Sequence, residues 1–215
     1  MRVLQTILLL AGTVTTGLMA GLFAAFAYAV MPALHRGGDR SFVETMQNIN
    51  RVILNGWFMS CFLGSLVFLI GAAVLAWRGH GRPALPWIVA ALVLYLVMFF
   101  VTSGINVPLN NQLDKAGDPR HIADLAAVRH QFEGRWVAWN IVRAVSNLAA
   151  FACLAWALVL YGAHRDDPRP AGRHTGSAAP MHHPPAPYDV RPAGSPYDAG
   201  SPPAPYGPGP GPGPR

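Results

Sequence analysis

The sequence predicts an all-α transmembrane four-helix bundle with two short amphipathic loop helices and a disordered C-terminal tail. Three observations carry that expectation. Hydrophobic residues make up 52% of the 215-residue chain and charged residues only 12%. Mean hydropathy is +0.30 despite a polar C-terminal region, which is the balance of an integral membrane protein. Four apolar runs are each long enough, at about 1.5 Å per residue, to cross a hydrocarbon core of about 30 Å. After Tyr161 the aliphatic side chains nearly vanish and Pro, Gly, Ala and Ser take over. The chain therefore divides into a four-span domain, residues 1–162, and a tail, residues 163–215.

The first run, residues 3–31, is too long and too weakly flanked by basic residues for a cleaved signal peptide, and is expected to stay as a helix. Gly17 and Gly21, extended by Thr13, Ala20 and Ala24, offer a small-residue face for a neighbouring helix. Pro32 is expected to end or kink it. Between residues 37 and 55, Ser41 and Glu44 read as a capping box, and Phe42, Met46, Ile49 and Ile53 follow at helical spacing. This first loop helix is expected to run straight into the second span, Leu54 to Trp77, where Gly56, Ser60 and Gly64 form another close-packing stripe.

A short basic turn leads to the third span, Pro86 to Asn106. Pro108 is expected to loosen the exit of that span and free carbonyls for the Asn side chains around it. Asp118-Pro119 reads as an N-cap with Pro at the first helical position. Ile122, Leu125 and Phe132 then define the second loop helix, with a bend at Gly134 before the fourth span, Trp136 to Tyr161. Beyond it the composition supports no core, so disorder with polyproline character is expected. Tyr188, Tyr197 and Tyr206 recur there every nine residues in Pro-Tyr contexts.

The formal net charge is +6, but the Arg residues are scattered, and no basic stripe interleaved with aromatic rings points to nucleic acid. Cys61 and Cys153 lie inside apolar segments and read as core thiols. His182-His183 has no further ligands at metal spacing, so no metal site is expected. Four spans put both termini on one side. The unmixed basic turn at residues 78–83 favours placing that side in the cytoplasm, with the protein integral to the plasma membrane.

One consequence holds in either orientation. Tyr28 and His35, Asn50, Arg51 and Asn55, Asn106 and Asn110, and Trp136, Asn140 and Arg143 all fall at the same end of the bundle. Trp136, Asn140, Arg143 and Asn147 are spaced by four, three and four, so they share one helix face. An aromatic, amide-lined pocket with Arg143 as its deepest charge is expected there. An Arg about 10 Å inside a membrane span costs several kcal/mol unless paired or wetted, which marks it as a functional residue.

Three motifs lie in this region: Val30-Met-Pro-Ala-Leu34, Asn106-Val-Pro-Leu-Asn110 followed by Leu113, and Trp136-x-x-Trp139-Asn140-x-x-Arg143. With them the chain, over about residues 5–160, resembles a family of small four-span membrane proteins named for its anthrone oxygenase members and once catalogued as a domain of unknown function. The resemblance implies oxidation of a polycyclic anthrone by molecular oxygen with no cofactor, neither metal nor flavin. In that reading Arg143 stabilises the enolate anion. Asn140, Asn106 and Asn110 orient ring oxygens, and Trp136 and Trp139 give flat surfaces. Asn50 and Tyr28 complete the substrate wall, and His130 or His35 acts as base.

Two other readings stay open. The same pocket suits a non-enzymatic protein that binds an aromatic small molecule or membrane lipid and recruits a protein partner through its Pro-rich tail. Alternatively, the Arg and Asn side chains form a network that does no more than set helix register.

Overall fold

The computed structural model describes residues 2–79 and 81–163. The expected tail from residue 164 onward, with its Tyr repeats, lies outside the described residues. Among the described residues every regular element is helical. Helix α1 (Arg2–Ala25) passes through a π-helical turn (Phe26–Val30) into α2 (Met31–His35). After the loop helix α3 (Asp39–Ile53) comes α4 (Gly56–Arg78). A 3₁₀ turn leads to α5 (Leu85–Val101), a second π turn (Thr102–Asn106) and α6 (Val107–Lys115). The chain then turns into α7 (Leu125–Ala163). Four helical stretches, Arg2–His35, Gly56–Arg78, Arg82–Lys115 and Leu125–Ala163, are long and apolar enough to cross a membrane.

The two prolines do not end their helices. Each sits two residues after a π turn, and the residue before it donates its N–H five residues back, Met31 to the Phe26 carbonyl and Val107 to the Thr102 carbonyl. Proline lacks an N–H and its ring crowds the carbonyl four residues earlier. A widened turn absorbs that conflict and lets the helix continue. Termination at Pro32 is thus ruled out, and both spans pass their proline by the same device, a widened turn just upstream.

Other local expectations also give way. Helix α3 starts at Asp39 after an extended Gly38, with no side-chain cap, so Ser41 and Glu44 form no capping box. It does not run on into α4: the chain breaks at Leu54, and Asn55 caps the new helix by accepting from Phe58 N–H at 3.0 Å. Gly56 and Ser60 are exposed, and the contact face of α4 is instead Phe62, Ser65, Leu69, Ala72 and Ala76. The second loop helix is helical but is not a separate element. Asp118 holds a turn by accepting from Arg120 N–H at 2.9 Å, and Asp124 provides the cap by accepting from Ala127 N–H at 2.9 Å. From Leu125 the helix is unbroken through Gly134.

Three stacked apolar clusters form the core. Leu9, Ala72, Ala76, Ile88 and Ala157 lie at the end near the α4–α5 turn. Met19, Phe23, Phe62, Tyr95, Met98 and Leu154 fill the middle. Phe26, Phe42, Met46, Leu113, Phe132 and Trp136 fill the opposite end, under α3 and α6. Close approach needs glycine at few places. A Cβ on Gly17 would lie 2.9 Å from the Phe151 ring of α7, whereas at Gly21 it would meet nothing. The expected two-glycine face thus reduces to one contact. Polar cross-links complete the packing: Gln5 Nε2 donates to the Ala72 carbonyl at 3.1 Å, and the Tyr95 hydroxyl donates to the Phe62 carbonyl at 2.7 Å.

Candidate functional site

Helix α7 projects one polar face into the bundle, and Trp136, Asn140, Arg143 and Asn147 are all buried on it. Arg143 lies where the middle and outer clusters meet and is only 5% exposed. Its guanidinium carbon sits 4.4 Å from the centroid of Phe23 and 5.3 Å from that of Trp136. Its one hydrogen bond among the described residues runs from Nη2 to Asn140 Oδ1 at 2.8 Å, and Nε is buried without a partner. No carboxylate pairs with it among the described residues.

The energetics are close to balance. An Arg at the centre of a membrane helix costs about 2.5–3.5 kcal/mol on insertion scales. Two cation–π contacts return roughly 1–4 kcal/mol, depending on how dry the site is. The guanidinium is therefore held by rings and one amide, with hydrogen-bond donors to spare.

Neighbouring amides fix this arrangement. Asn140 Nδ2 donates to the Phe23 carbonyl of α1 at 3.1 Å, which holds Oδ1 toward Arg143. Asn106, at the end of the second π turn, donates to the Trp136 carbonyl at 3.3 Å and leaves Oδ1 unpartnered. Trp136 Nε1 donates to Asn110 Oδ1 at 2.7 Å. Deeper in, Asn147 Nδ2 reaches the Thr16 carbonyl at 3.5 Å, while Asn147 Oδ1 and Thr16 Oγ1 are buried without partners.

The structure thus brings together five of the sequence candidates: Arg143, Asn140, Trp136, Asn106 and Asn110. Tyr28 is 74% exposed and Trp139 37% exposed, both directed away from the bundle interior. His130 is exposed on the first turns of α7, and Asn50 is half-buried on α3 with Nδ2 unpartnered. His35 is bonded instead to Glu133, Nδ1 to Oε1, at 2.7 Å. Among the described residues no three or more His, Cys, Asp or Glu side chains converge as metal ligands.

Two residues escaped the sequence reading. Phe23, which covers one face of the guanidinium, was visible only as part of an aromatic cluster late in the first run. Arg129 is the hub of a second cluster. It donates to Glu133 Oε2 at 2.7 Å, Asp39 Oδ1 at 3.0 Å, the Gly37 carbonyl at 2.9 Å and the His35 carbonyl at 2.8 Å, and it lies 4.7 Å from the Phe42 ring centroid. Its i, i+4 spacing from Glu133 was the available signal.

Residues 58–153 match the family model described as Anthrone oxygenase. No curated protein and no solved structure matches the chain. The matched span takes in Asn106, Asn110, Trp136, Asn140 and Arg143, and leaves out Phe23 and the whole of α1 to α3. Residues 58–153 are thus similar to the anthrone oxygenase family, in a chain with four helices long and apolar enough to cross a membrane.

Proposed function

We propose that this protein is a membrane-embedded oxygenase that converts an anthrone-type polycyclic aromatic to the corresponding quinone with molecular oxygen. The observation that supports this reading is the buried Arg143 guanidinium, which has no carboxylate partner among the described residues and retains an unpaired N–H. An anthrone loses a proton from its central CH₂ to give an enolate. The enolate oxygen accepts from Arg143, and a preorganised cation in a dry site stabilises such an anion by several kcal/mol.

The enolate transfers an electron to oxygen, and the resulting radical and superoxide combine at the central carbon. The peroxide anion takes up a proton from solvent in place of the one given to solvent in the first step, and the hydroperoxide loses water to leave the second carbonyl. Substrate plus O₂ gives quinone plus H₂O, so neither a metal nor a flavin is needed for balance. Asn140 aims the guanidinium, and the free Asn106 Oδ1 accepts from a phenolic hydroxyl. Both rings lie against the guanidinium, so substrate entry has to displace one of them. In this reading the protein resides in the plasma membrane with both termini cytoplasmic.

The test is direct. Purified protein mixed with an anthrone under oxygen should accelerate quinone formation, followed by absorbance, and Arg143→Ala should remove the acceleration. No acceleration over buffer across several anthrones overturns the proposal.

A second reading has its own support. Asn106, Asn140 and Asn147 each donate to a backbone carbonyl of a neighbouring helix, as a network that merely sets register would. If Arg143→Met fails to fold, the register reading gains; a folded but inactive Arg143→Met favours the oxygenase.

A further inference from the structure

Apart from the Arg143 site, a cavity of about 250 Å³ lies between α6 and the first turns of α7. Leu109, Leu113, Val128 and Phe132 give it apolar walls, and three of these are nearly fully buried, at 4%, 2% and 4% exposure for Leu109, Leu113 and Phe132. Its polar groups are the Gln112 and Gln131 amides and Lys115. Lys115 is exposed at the cavity rim and makes no ion pair among the described residues, while the adjacent Asp114 is paired with Arg51. Behind the cavity the Phe132 ring stacks on Trp136, with centroids 6.1 Å apart at 29°, and Trp136 in turn lies against Arg143. The wall of the cavity and the buried guanidinium are therefore two faces of one aromatic pair.

We propose that this cavity binds a small aromatic monoanion, its rings against Phe132 and its carboxylate or phenolate at Lys115. Its volume falls below the roughly 300 Å³ at which drug-sized pockets begin, enough for two or three fused rings and too little for a two-chain lipid. A flat apolar wall, two amides and one unpaired cation select an anion with an aromatic body over a neutral one. Its role as a loading site for Arg143 rests on the oxygenase reading; its role as a binding site does not.

The full chain in phosphatidylcholine nanodiscs, dialysed against 2-naphthoate or neutral 2-naphthylmethanol with protein-free nanodiscs as baseline, tests this. Saturable binding of one naphthoate per chain is expected, weakened about fivefold by Lys115→Gln, as for an exposed ion pair, with the neutral probe unaffected. Gln131→Trp, which fills the cavity from its rim, should abolish naphthoate binding while circular dichroism shows the helices intact. If that variant does not fold, the Lys115→Gln comparison decides alone.

Unchanged naphthoate binding in a folded Gln131→Trp, or equal loss of both probes in Lys115→Gln, overturns the site. Displacement of naphthoate by octanoate at equal concentration overturns the aromatic class. Arg143→Ala should keep naphthoate binding. Binding without quinone formation by the native protein would then sink the oxygenase and leave this site standing.

Discussion

Arg129 and Arg143 stand fourteen residues apart on the same helix, about 21 Å along its axis, and their surroundings are opposite. Arg129 spends its donors on two carboxylates and two carbonyls and covers a Phe ring besides. Arg143, more deeply buried, has one amide and two rings. A saturated cation joins parts of the chain: Arg129 ties the α2–α3 connection to α7. An unsaturated one, kept where water is scarce, retains its capacity for an anion. Both guanidiniums are largely covered, and counting donors is what separates their roles.

The contrast breaks most sharply at Arg143 itself. Arg143→Ala is expected to lower the rate of quinone formation by at least about 100-fold, the scale of removing a preorganised anion donor. Its unfolding midpoint in detergent should stay close to that of the native protein, since an unpaired buried charge contributes little net stability. A large loss of stability would instead align Arg143 with Arg129.

Asn140→Asp is the next largest effect. It sets a carboxylate beside Nη2 and makes Arg143 resemble Arg129. Activity should fall roughly 10- to 100-fold because the cation is already neutralised, while losing the Nδ2 donor to the Phe23 carbonyl costs about 1–3 kcal/mol of stability. Steady-state kinetics beside a melting curve would show the separation.

Arg129→Met should do the reverse. Removing one partner of a buried pair costs about 3–5 kcal/mol. Here the carboxylates retain some water, with the Asp39 and Glu133 side chains 41% and 17% exposed, so roughly 2–3 kcal/mol is expected. Denaturant titration in mixed micelles measures it, and any loss of turnover should follow the folded fraction.

A third arginine gives the smallest effect. Arg120 pairs with Asp118 at the protein surface, and its side-chain hydrogen bond, more than its charge, holds the Asp118 carboxyl below the ordinary aspartate value of 3.8. A depressed folded pKa contributes stability that is complete above the ordinary value and is lost as pH falls through the lower one. The unfolding midpoint should therefore not change with pH through this pair above about pH 5, where its small contribution is complete. Asp118→Asn should lower the midpoint slightly at pH 6 and flatten the acid limb, so that the two proteins converge toward pH 2, which a midpoint series from pH 2 to 6 would show.

Much of the fold was legible in the sequence because its signals are local. Runs of apolar residues defined four spans, and a period of 3.6 put Trp136, Asn140, Arg143 and Asn147 on one face wherever the helix packs. Face counting failed where the helix stopped being regular. A π turn adds a residue to the helix and rotates the downstream faces by about 100°, and Tyr28 sits within one. Trp139 is one residue from Asn140, and that single step takes it from the interior to the exterior.

The sequence by itself determined that a cation would lie inside the fourth span, and on which face. Only the tertiary structure decided what surrounds it. The Phe23 ring and carbonyl come from α1, more than a hundred residues away, whereas Arg129 draws Gly37 and Asp39 across some ninety residues. Periodicity specifies the direction in which a side chain leaves its own helix. Which groups complete its hydrogen bonds depends on how the other helices close around it.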